Sequence, residues 1–88
     1  MSIKIAVIGA GSICFTRTLM RDILAVPELA DTEFSFHDIS KTNLDMIVQL
    51  ARRDIQANKL PAKISATTRR RKALEGAKYV LNTTRIGG

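Results

Sequence analysis

Short runs of β-branched and aromatic residues alternate along this chain with longer segments whose apolar residues recur at helical spacing. The short runs predict strands at residues 5–8, 33–38, 63–67 and 78–83. The longer segments predict helices at residues 12–25, 41–58 and 68–75. Strands that alternate with helices are typical of a parallel sheet. Right-handed crossovers between these strands then favour the spatial order 3-2-1-4.

Side-chain patterns predict how these elements are buried and where they end. Phe34 and Phe36 alternate with polar neighbours, which predicts a strand with one less completely buried face. Pro27 is expected to stop the first helix, and Ser40 is expected to cap the second. The apolar stripe of the first helix comprises Ile13, Phe15, Leu19, Met20, Ile23 and Leu24. The stripe of the second comprises Leu44, Ile47, Val48, Ala51 and Ile55.

A glycine turn joins the first strand directly to the first helix. Gly9 allows a sharp turn, and Gly11 lacks the Cβ that would hold a pyrophosphate away from the backbone. The start of a helix presents unpaired N–H groups and a partial positive charge, which favour a phosphate. Ser12 fits either a helix cap or a phosphate donor, and Cys14 occupies the place of the third glycine in G-x-G-x-x-G. The candidate cofactor-binding residues here are Gly9, Ala10, Gly11, Ser12 and Ile13. A tight turn without a nucleotide is the alternative.

Asp38 ends the second predicted strand and is a candidate for binding the ribose of a dinucleotide. It lies further from the glycine turn than the usual separation of about 20 residues, which a longer helix and connection accommodate. A carboxylate at this position repels a 2′-phosphate and so favours NAD over NADP. The alternative is an aspartate that only begins the following turn. His37 precedes it and receives no role.

The charge of the chain is concentrated in one run. The net charge is +6, and Arg69, Arg70, Arg71 and Lys72 are consecutive, whereas the remaining basic residues nearly balance the acidic ones. The run falls in the first turn of the third predicted helix, where it opposes the helix dipole, with Thr68 as the expected cap and Gly76 as the left-handed C-terminal residue. With few aromatic residues and no Trp, a nucleic-acid partner is not favoured.

Length and composition predict one small soluble domain segment. The chain has 88 residues, and residues 1–4 lead directly into a strand, so we expect neither a signal peptide nor a membrane span, and a cytoplasmic location. Cys14 is the single cysteine, which excludes an internal disulfide. Asn82, Thr83 and Arg85 end or follow the fourth strand and share the carboxyl edge of the sheet with the glycine turn.

Three longer segments carry a family resemblance: IAVIGAGSICFTRTLMRDIL, FSFHDIS and ALEGAKYVLNTTRIGG. Together they resemble the N-terminal part of the family 4 glycoside hydrolases, especially the α-galactosidase and α-glucosidase members. The resemblance implies a Rossmann-like NAD-binding domain of which residues 1–88 form the first part, with no second domain present. It also implies a cytoplasmic homo-oligomer that uses NAD and a divalent metal, commonly manganese.

The resemblance further implies a reaction unlike the paired-carboxylate route of most glycosidases. Hydride transfer from C3 of the sugar to NAD acidifies the C2 proton, the glycosidic bond breaks by elimination, water adds, and the hydride returns. By the same resemblance Gly9, Gly11 and Ser12 hold the pyrophosphate and Asp38 the ribose. The resemblance assigns Asn82 and Thr83 to the cofactor and Arg85 to the substrate side. The metal ligands and the catalytic tyrosine of members match no position here, so this chain alone is expected to be inactive.

Two other functions fit the same sequence. One is the cofactor half of an NAD-dependent 2-hydroxyacid dehydrogenase, against which the R-I-G-G ending argues. The other is a non-catalytic module that binds an anionic partner through the basic run. Whichever function applies, the fourth strand is expected to form an exposed edge of the sheet and to promote self-association.

Overall fold

The computed structural model describes residues 3–10 and 13–82, with Ile13 described by its backbone alone. Its elements are β1 (Lys4–Ile8), α1 (Ile13–Leu24), a 3-10 helix (Pro27–Leu29), β2 (Glu33–His37), α2 (Lys41–Ala57), β3 (Lys63–Thr67), α3 (Arg70–Leu74) and β4 (Tyr79–Asn82). The strands form one parallel sheet in the order β3-β2-β1-β4. The predicted α/β class and strand order are confirmed.

One face of the sheet packs against α1 and α2 and forms the main core. Phe34 and Phe36 point to this face and are completely buried, with ring centroids 6.1 Å apart. Burying a phenylalanine stabilises the fold by roughly 1.5–3 kcal/mol. The remaining buried members of this cluster are Ile5, Val7, Ala10, Met20, Leu44, Ile47, Ala51 and Ile55. The predicted stripe of α2 is therefore confirmed, with Val48 partly buried and the other four members buried.

The opposite face of the sheet is covered by α3. Successive strand residues alternate between faces, so Ser35 and His37 point away from the two phenylalanines. The Ser35 hydroxyl donates a 2.9 Å hydrogen bond to the carbonyl of Ala73 in α3. Both Ser35 and His37 are buried. The prediction that β2 has one less buried face was wrong, because α3 packs over its polar positions.

The helix ends follow the local sequence closely. The 3-10 helix begins at Pro27, two residues after Ala25, whose N–H still bonds to Arg21. Ser40 caps α2, since its hydroxyl accepts a 3.3 Å hydrogen bond from the N–H of Asn43. Asn58 closes the same helix through Asp54. Within residues 13–82, no helix has the length and apolar character needed to cross a membrane.

The third helix is shorter than predicted, and its N-cap lies one residue later. Arg69, not Thr68, occupies its N-cap and provides no side-chain cap. The reason is local: the hydroxyl of Thr67 accepts a 3.0 Å hydrogen bond from the Arg69 N–H. Gly76 follows the helix at φ +70°, which confirms the predicted left-handed residue.

Apolar side chains remain exposed at one end of the sheet. β4 pairs with β1, and no further strand pairs with it among the described residues. Tyr79 and Val80 are each about half exposed.

Phe15 in α1 is 54% exposed, so its assignment to the buried stripe was wrong. It lies on the side of α1 turned away from the core cluster, which Met20 joins instead.

Candidate functional site

The carboxyl ends of three neighbouring strands meet at one rim of the sheet. Ile8, the last residue of β1, is in register with His37 of β2 on one side and Asn82 of β4 on the other. Neighbouring strands are roughly 4.8 Å apart, so the residues that follow two neighbouring strands lie close together. The rim brings Gly9 and Ala10 together with Asp38 and Asn82, as the sequence predicted.

The turn after β1 is fixed to the end of β2 by its backbone. Gly9 adopts φ +82°, which L side chains rarely adopt. The N–H groups of Gly9 and Ala10 both donate 2.8 Å hydrogen bonds to the carbonyl of His37. These two donors hold the turn in place against the end of β2.

A buried threonine that the sequence analysis missed ties α1 to this turn. Thr16 is completely buried, and its hydroxyl donates a 2.9 Å hydrogen bond to the carbonyl of Ala10. Ala10 is itself buried in the core cluster. Thr16 lies four residues before Met20, so its place on the buried stripe was visible in the helical spacing. It positions the first turn of the helix against the rim.

Asp38 is held at the rim by the turn that begins there. One of its carboxylate oxygens, Oδ1, accepts a 2.8 Å hydrogen bond from the N–H of Ser40. The alternative role, a turn-forming aspartate, is thus present in the structure. It is compatible with ribose binding, because the turn fixes the carboxylate beside the end of β2. The side chain is partly exposed.

His37 gives the rim an unusual polar wall. Its side chain is 7% exposed, and its Nδ1 atom is buried without a hydrogen-bond partner among the residues the structure describes. It lines a cavity of about 250 Å³ together with Ile8, Gly9, Asp38 and Ile39. With the Gly9 turn and the Asp38 carboxylate in its lining, this cavity is the candidate place for a dinucleotide.

Several predicted site residues cannot be placed from the described part of the chain. Gly11, Ser12, Thr83 and Arg85 lie outside it, as does the side chain of Ile13. Ile13 begins α1, and Asn82 is an exposed residue at the end of β4. Their roles toward cofactor or substrate stay predictions.

A second cavity, of about 390 Å³, lies between α1 and α2 away from the rim. The guanidinium of Arg17 crosses this gap and donates hydrogen bonds of 3.1 and 3.0 Å to the two carboxylate oxygens of Asp54. The hydrogen bond to Asp54 and its charge raise the pKa of Arg17 above its ordinary value. Because this arginine is already paired, the cavity is a poorer candidate for an anion than the rim.

The described residues show no assembled metal centre. No group of three or more His, Cys, Asp or Glu side chains comes together within residues 3–10 and 13–82. Cys14 is exposed and unpaired with any cysteine. The residues present therefore do not supply a ligand set, and the divalent metal stays an expectation drawn from the resemblance.

Comparison with known proteins gives a family match over almost the whole chain. Residues 4–88 match the family described as family 4 glycosyl hydrolase. An α-galactosidase of Rhizobium meliloti (strain 1021) is 56% identical over 87 residues, which are 99% of this chain and 18% of that protein. An α-glucosidase of Erwinia rhapontici is 36% identical over 99% of this chain and 19% of that protein. The chain thus spans about a fifth of the length of these relatives.

A solved structure shares the fold. The crystal structure of a 6-phospho-α-glucosidase from gut microorganisms, in complex with NAD and glucose-6-phosphate, superposes with a TM-score of 0.86. The match covers 100% of this chain and 20% of that one, at 21% sequence identity. This likeness shows a common fold over the matched part of the two chains.

Proposed function

Because this chain belongs to the family 4 glycosyl hydrolases, we propose that it is the NAD-binding segment of an α-glycosidase. The enzyme hydrolyses the O-glycosyl bond of an α-galactoside or related α-glycoside. The relative that is 56% identical and named an α-galactosidase supports this substrate class. The 88-residue chain by itself binds the dinucleotide and is inactive.

One observation carries the cofactor assignment. The Gly9 turn, at φ +82°, is bonded through its N–H and that of Ala10 to the carbonyl of His37. Asp38 follows His37 directly and is fixed by its own turn. The pyrophosphate-binding turn and the ribose-binding carboxylate are therefore joined by two short hydrogen bonds. Such fixed spacing suits a ligand whose phosphate and ribose lie at a fixed separation.

Each rim residue then has a defined task. Gly9 and Ala10 shape the turn, while Gly11, Ser12 and Ile13 provide donors at the positive end of α1. Asp38 accepts the hydroxyl protons of the adenosine ribose, and Asn82 and Thr83 line the nicotinamide side. Arg85 approaches the substrate. Bound here, NAD would supply the reversible hydride acceptor for oxidation at C3 of the sugar.

The wider properties of the enzyme belong to the same proposal. It is a cytoplasmic homo-oligomer that also needs a divalent metal, expected to be manganese. These features rest on the sequence resemblance described above. A 2-hydroxyacid dehydrogenase, the earlier alternative, is not favoured by the family match or by the relatives' names.

The proposal is tested by calorimetric titration of the purified chain with NAD, after circular dichroism has established that it is folded. We expect saturable binding that Asp38→Ala weakens by about tenfold, because a charge-assisted hydrogen bond to the ribose is lost. Asp45→Ala, at an exposed position of α2, is the matched control and leaves the affinity unchanged. A folded chain that does not bind NAD would contradict the proposal.

A chimera tests the enzymatic part. This chain replaces the matching segment of the Rhizobium meliloti α-galactosidase, with which it aligns over 87 residues. NAD-dependent release of galactose from an α-galactoside is the expected result, and Asp38→Ala in the chimera raises the NAD concentration needed for half-maximal activity. A folded chimera that hydrolyses the substrate equally well without NAD would refute the cofactor role.

A further inference from the structure

We propose that Arg69 and Arg70 extend the dinucleotide site to its adenosine end and bind the phosphate that NADP carries on its 2′ oxygen. This inference rests on the proposed function, because it assigns residues to one end of the same ligand. Its consequence is a site that accepts NADP alongside NAD.

The inference begins with an uncompensated patch of positive charge. Arg69, Arg70, Arg71 and Lys72 are all exposed. The ion pairs within the described residues join Lys4 to Glu33 and Arg17 to Asp54, so none of the four cations is neutralised there. A local surplus of this size attracts an anion from solution.

The basic residues of this patch also destabilise α3, the helix at whose start they lie. Arg69 caps α3 without a side-chain hydrogen bond, and the first turn contains no acidic residue. Cations near a helix N-terminus are unfavourable because they oppose the helix dipole. Residues that weaken their own element without a compensating contact are expected where binding requires them.

The sheet places the patch next to the ribose-binding carboxylate. His37 of β2 is in register with Thr67 of β3. Asp38 directly follows His37, and Arg69 lies two positions after Thr67. Adjacent strands lie about 4.8 Å apart, so the patch begins one strand beyond Asp38. It lies on the side of β2 away from β1.

The order of groups along the rim selects the part of the ligand. The pyrophosphate lies at the Gly9 turn after β1 and the ribose at Asp38 after β2. Continuing in the same direction to β3 leads to the adenosine 2′ position, whereas the sugar substrate lies toward β4, on the opposite side of β1. The patch therefore faces the adenosine end of the ligand. Arginine suits this phosphate because its planar guanidinium binds two oxygens at once.

The two arginines offset the effect of Asp38. That carboxylate alone disfavours a 2′-phosphate by like-charge repulsion. The cations follow the neighbouring strand β3, and their attraction for the 2′-phosphate opposes this repulsion. We therefore expect the dissociation constants for NADP and NAD to differ by less than about tenfold.

The test measures the ratio of the NADP to the NAD dissociation constant by calorimetry. Arg69→Gln with Arg70→Gln should increase this ratio by about tenfold, since two charge-assisted contacts to the 2′-phosphate are lost. Arg52→Gln with Arg53→Gln is the matched control. Both are exposed in the C-terminal half of α2, remote from the rim, and remove the same charge. The control leaves the ratio unchanged.

The ratio remains informative when folding changes. A partly folded variant weakens both apparent affinities by the same factor, which cancels. An unchanged ratio in the Arg69 and Arg70 variant, or an equal increase in the control, would overturn the inference. So would a polyuridine oligonucleotide that binds the wild-type chain more tightly than NADP and loses that affinity in the variant. If the folded wild-type chain does not bind NAD, the proposed function itself is contradicted.

Discussion

The shape of the rim depends on the backbone conformation and hydrogen bonds of a few residues. Gly9 takes a left-handed conformation, and Asp38 accepts a backbone hydrogen bond two residues ahead. The carbonyl of His37 accepts hydrogen bonds from two N–H groups, and its ring nitrogen Nδ1 is buried. These residues act through backbone geometry, so substitutions at the rim should separate binding from stability.

Gly9→Ala and Gly76→Ala form a matched pair that makes this separation. Both glycines have positive φ, of 82° and 70°, so each alanine should lower the free energy of unfolding by about 1–2 kcal/mol. Gly76 has no atom within 4 Å of an added Cβ, which leaves backbone strain as the main effect. Only Gly9→Ala should also weaken NAD binding. Chemical denaturation and calorimetry measure the two effects, and equal losses of affinity would contradict the assignment of the turn.

At the scale of the elements, short polar contacts fix where each helix begins. The hydroxyl of Thr16, in the first turn of α1, donates a hydrogen bond to the carbonyl of Ala10, and the Ser40 hydroxyl caps α2. Both helices start at the rim, because each follows a parallel strand. Helix initiation and site formation therefore depend on the same contacts.

Thr16→Val should lower the free energy of unfolding by about 1–3 kcal/mol, because the side chain keeps its shape but leaves the carbonyl of Ala10 without its donor. Thr16→Ser retains the hydroxyl and should preserve NAD affinity better than valine does. Thermal denaturation followed by circular dichroism measures the stability. Identical NAD affinities for the two variants would show that Thr16 has a structural role only.

Ser40→Ala tests the cap of α2. Loss of the hydrogen bond from the Asn43 N–H should lower the free energy of unfolding by about 1 kcal/mol. Ser40→Asp is expected to restore stability, since aspartate is also a preferred N-cap. Urea denaturation gives both values, and a fully stable alanine variant would mean that the cap is replaced by solvent.

The sequence predicted the order of the elements because hydrophobic periodicity depends mainly on local structure. It predicted β3 at the observed residues, and it placed Asp38 beside the Gly9 turn. It failed where burial depends on contacts between distant segments. The polar face of β2 is buried because Ser35 meets Ala73 across the sheet, whereas Phe15 is exposed despite its apolar character. No local pattern around either residue indicates what packs against it.

At the scale of the whole molecule, β4 is the edge strand of the sheet on which large apolar side chains are exposed. Within the described residues β4 pairs only with β1, and Tyr79 and Val80 expose apolar surface on that strand. Unpaired strand edges form hydrogen bonds with other chains. The basic run lies at the other side of the sheet, after β3, so repulsion between these cations does not protect the β4 edge.

We therefore expect the isolated chain to self-associate, with an apparent mass in gel filtration that rises with protein concentration. Val80→Lys places a charge on the β4 edge and should shift the chain toward the monomer. Met46→Lys, at a similarly exposed apolar position of α2, is the control and should leave the elution unchanged. A wild-type chain that elutes as a monomer at all concentrations would refute this prediction.

The paired hydrogen bonds from Gly9 and Ala10 to His37 also provide a local probe of the rim. An amide proton in such a bond exchanges with deuterium only when the bond opens. Because both protons share one acceptor, they should exchange at similar rates, and both should slow when a dinucleotide is added. Their exchange rates, compared with the intrinsic rates of the same amides in an unfolded peptide, give the free energy that separates the assembled rim from its open state.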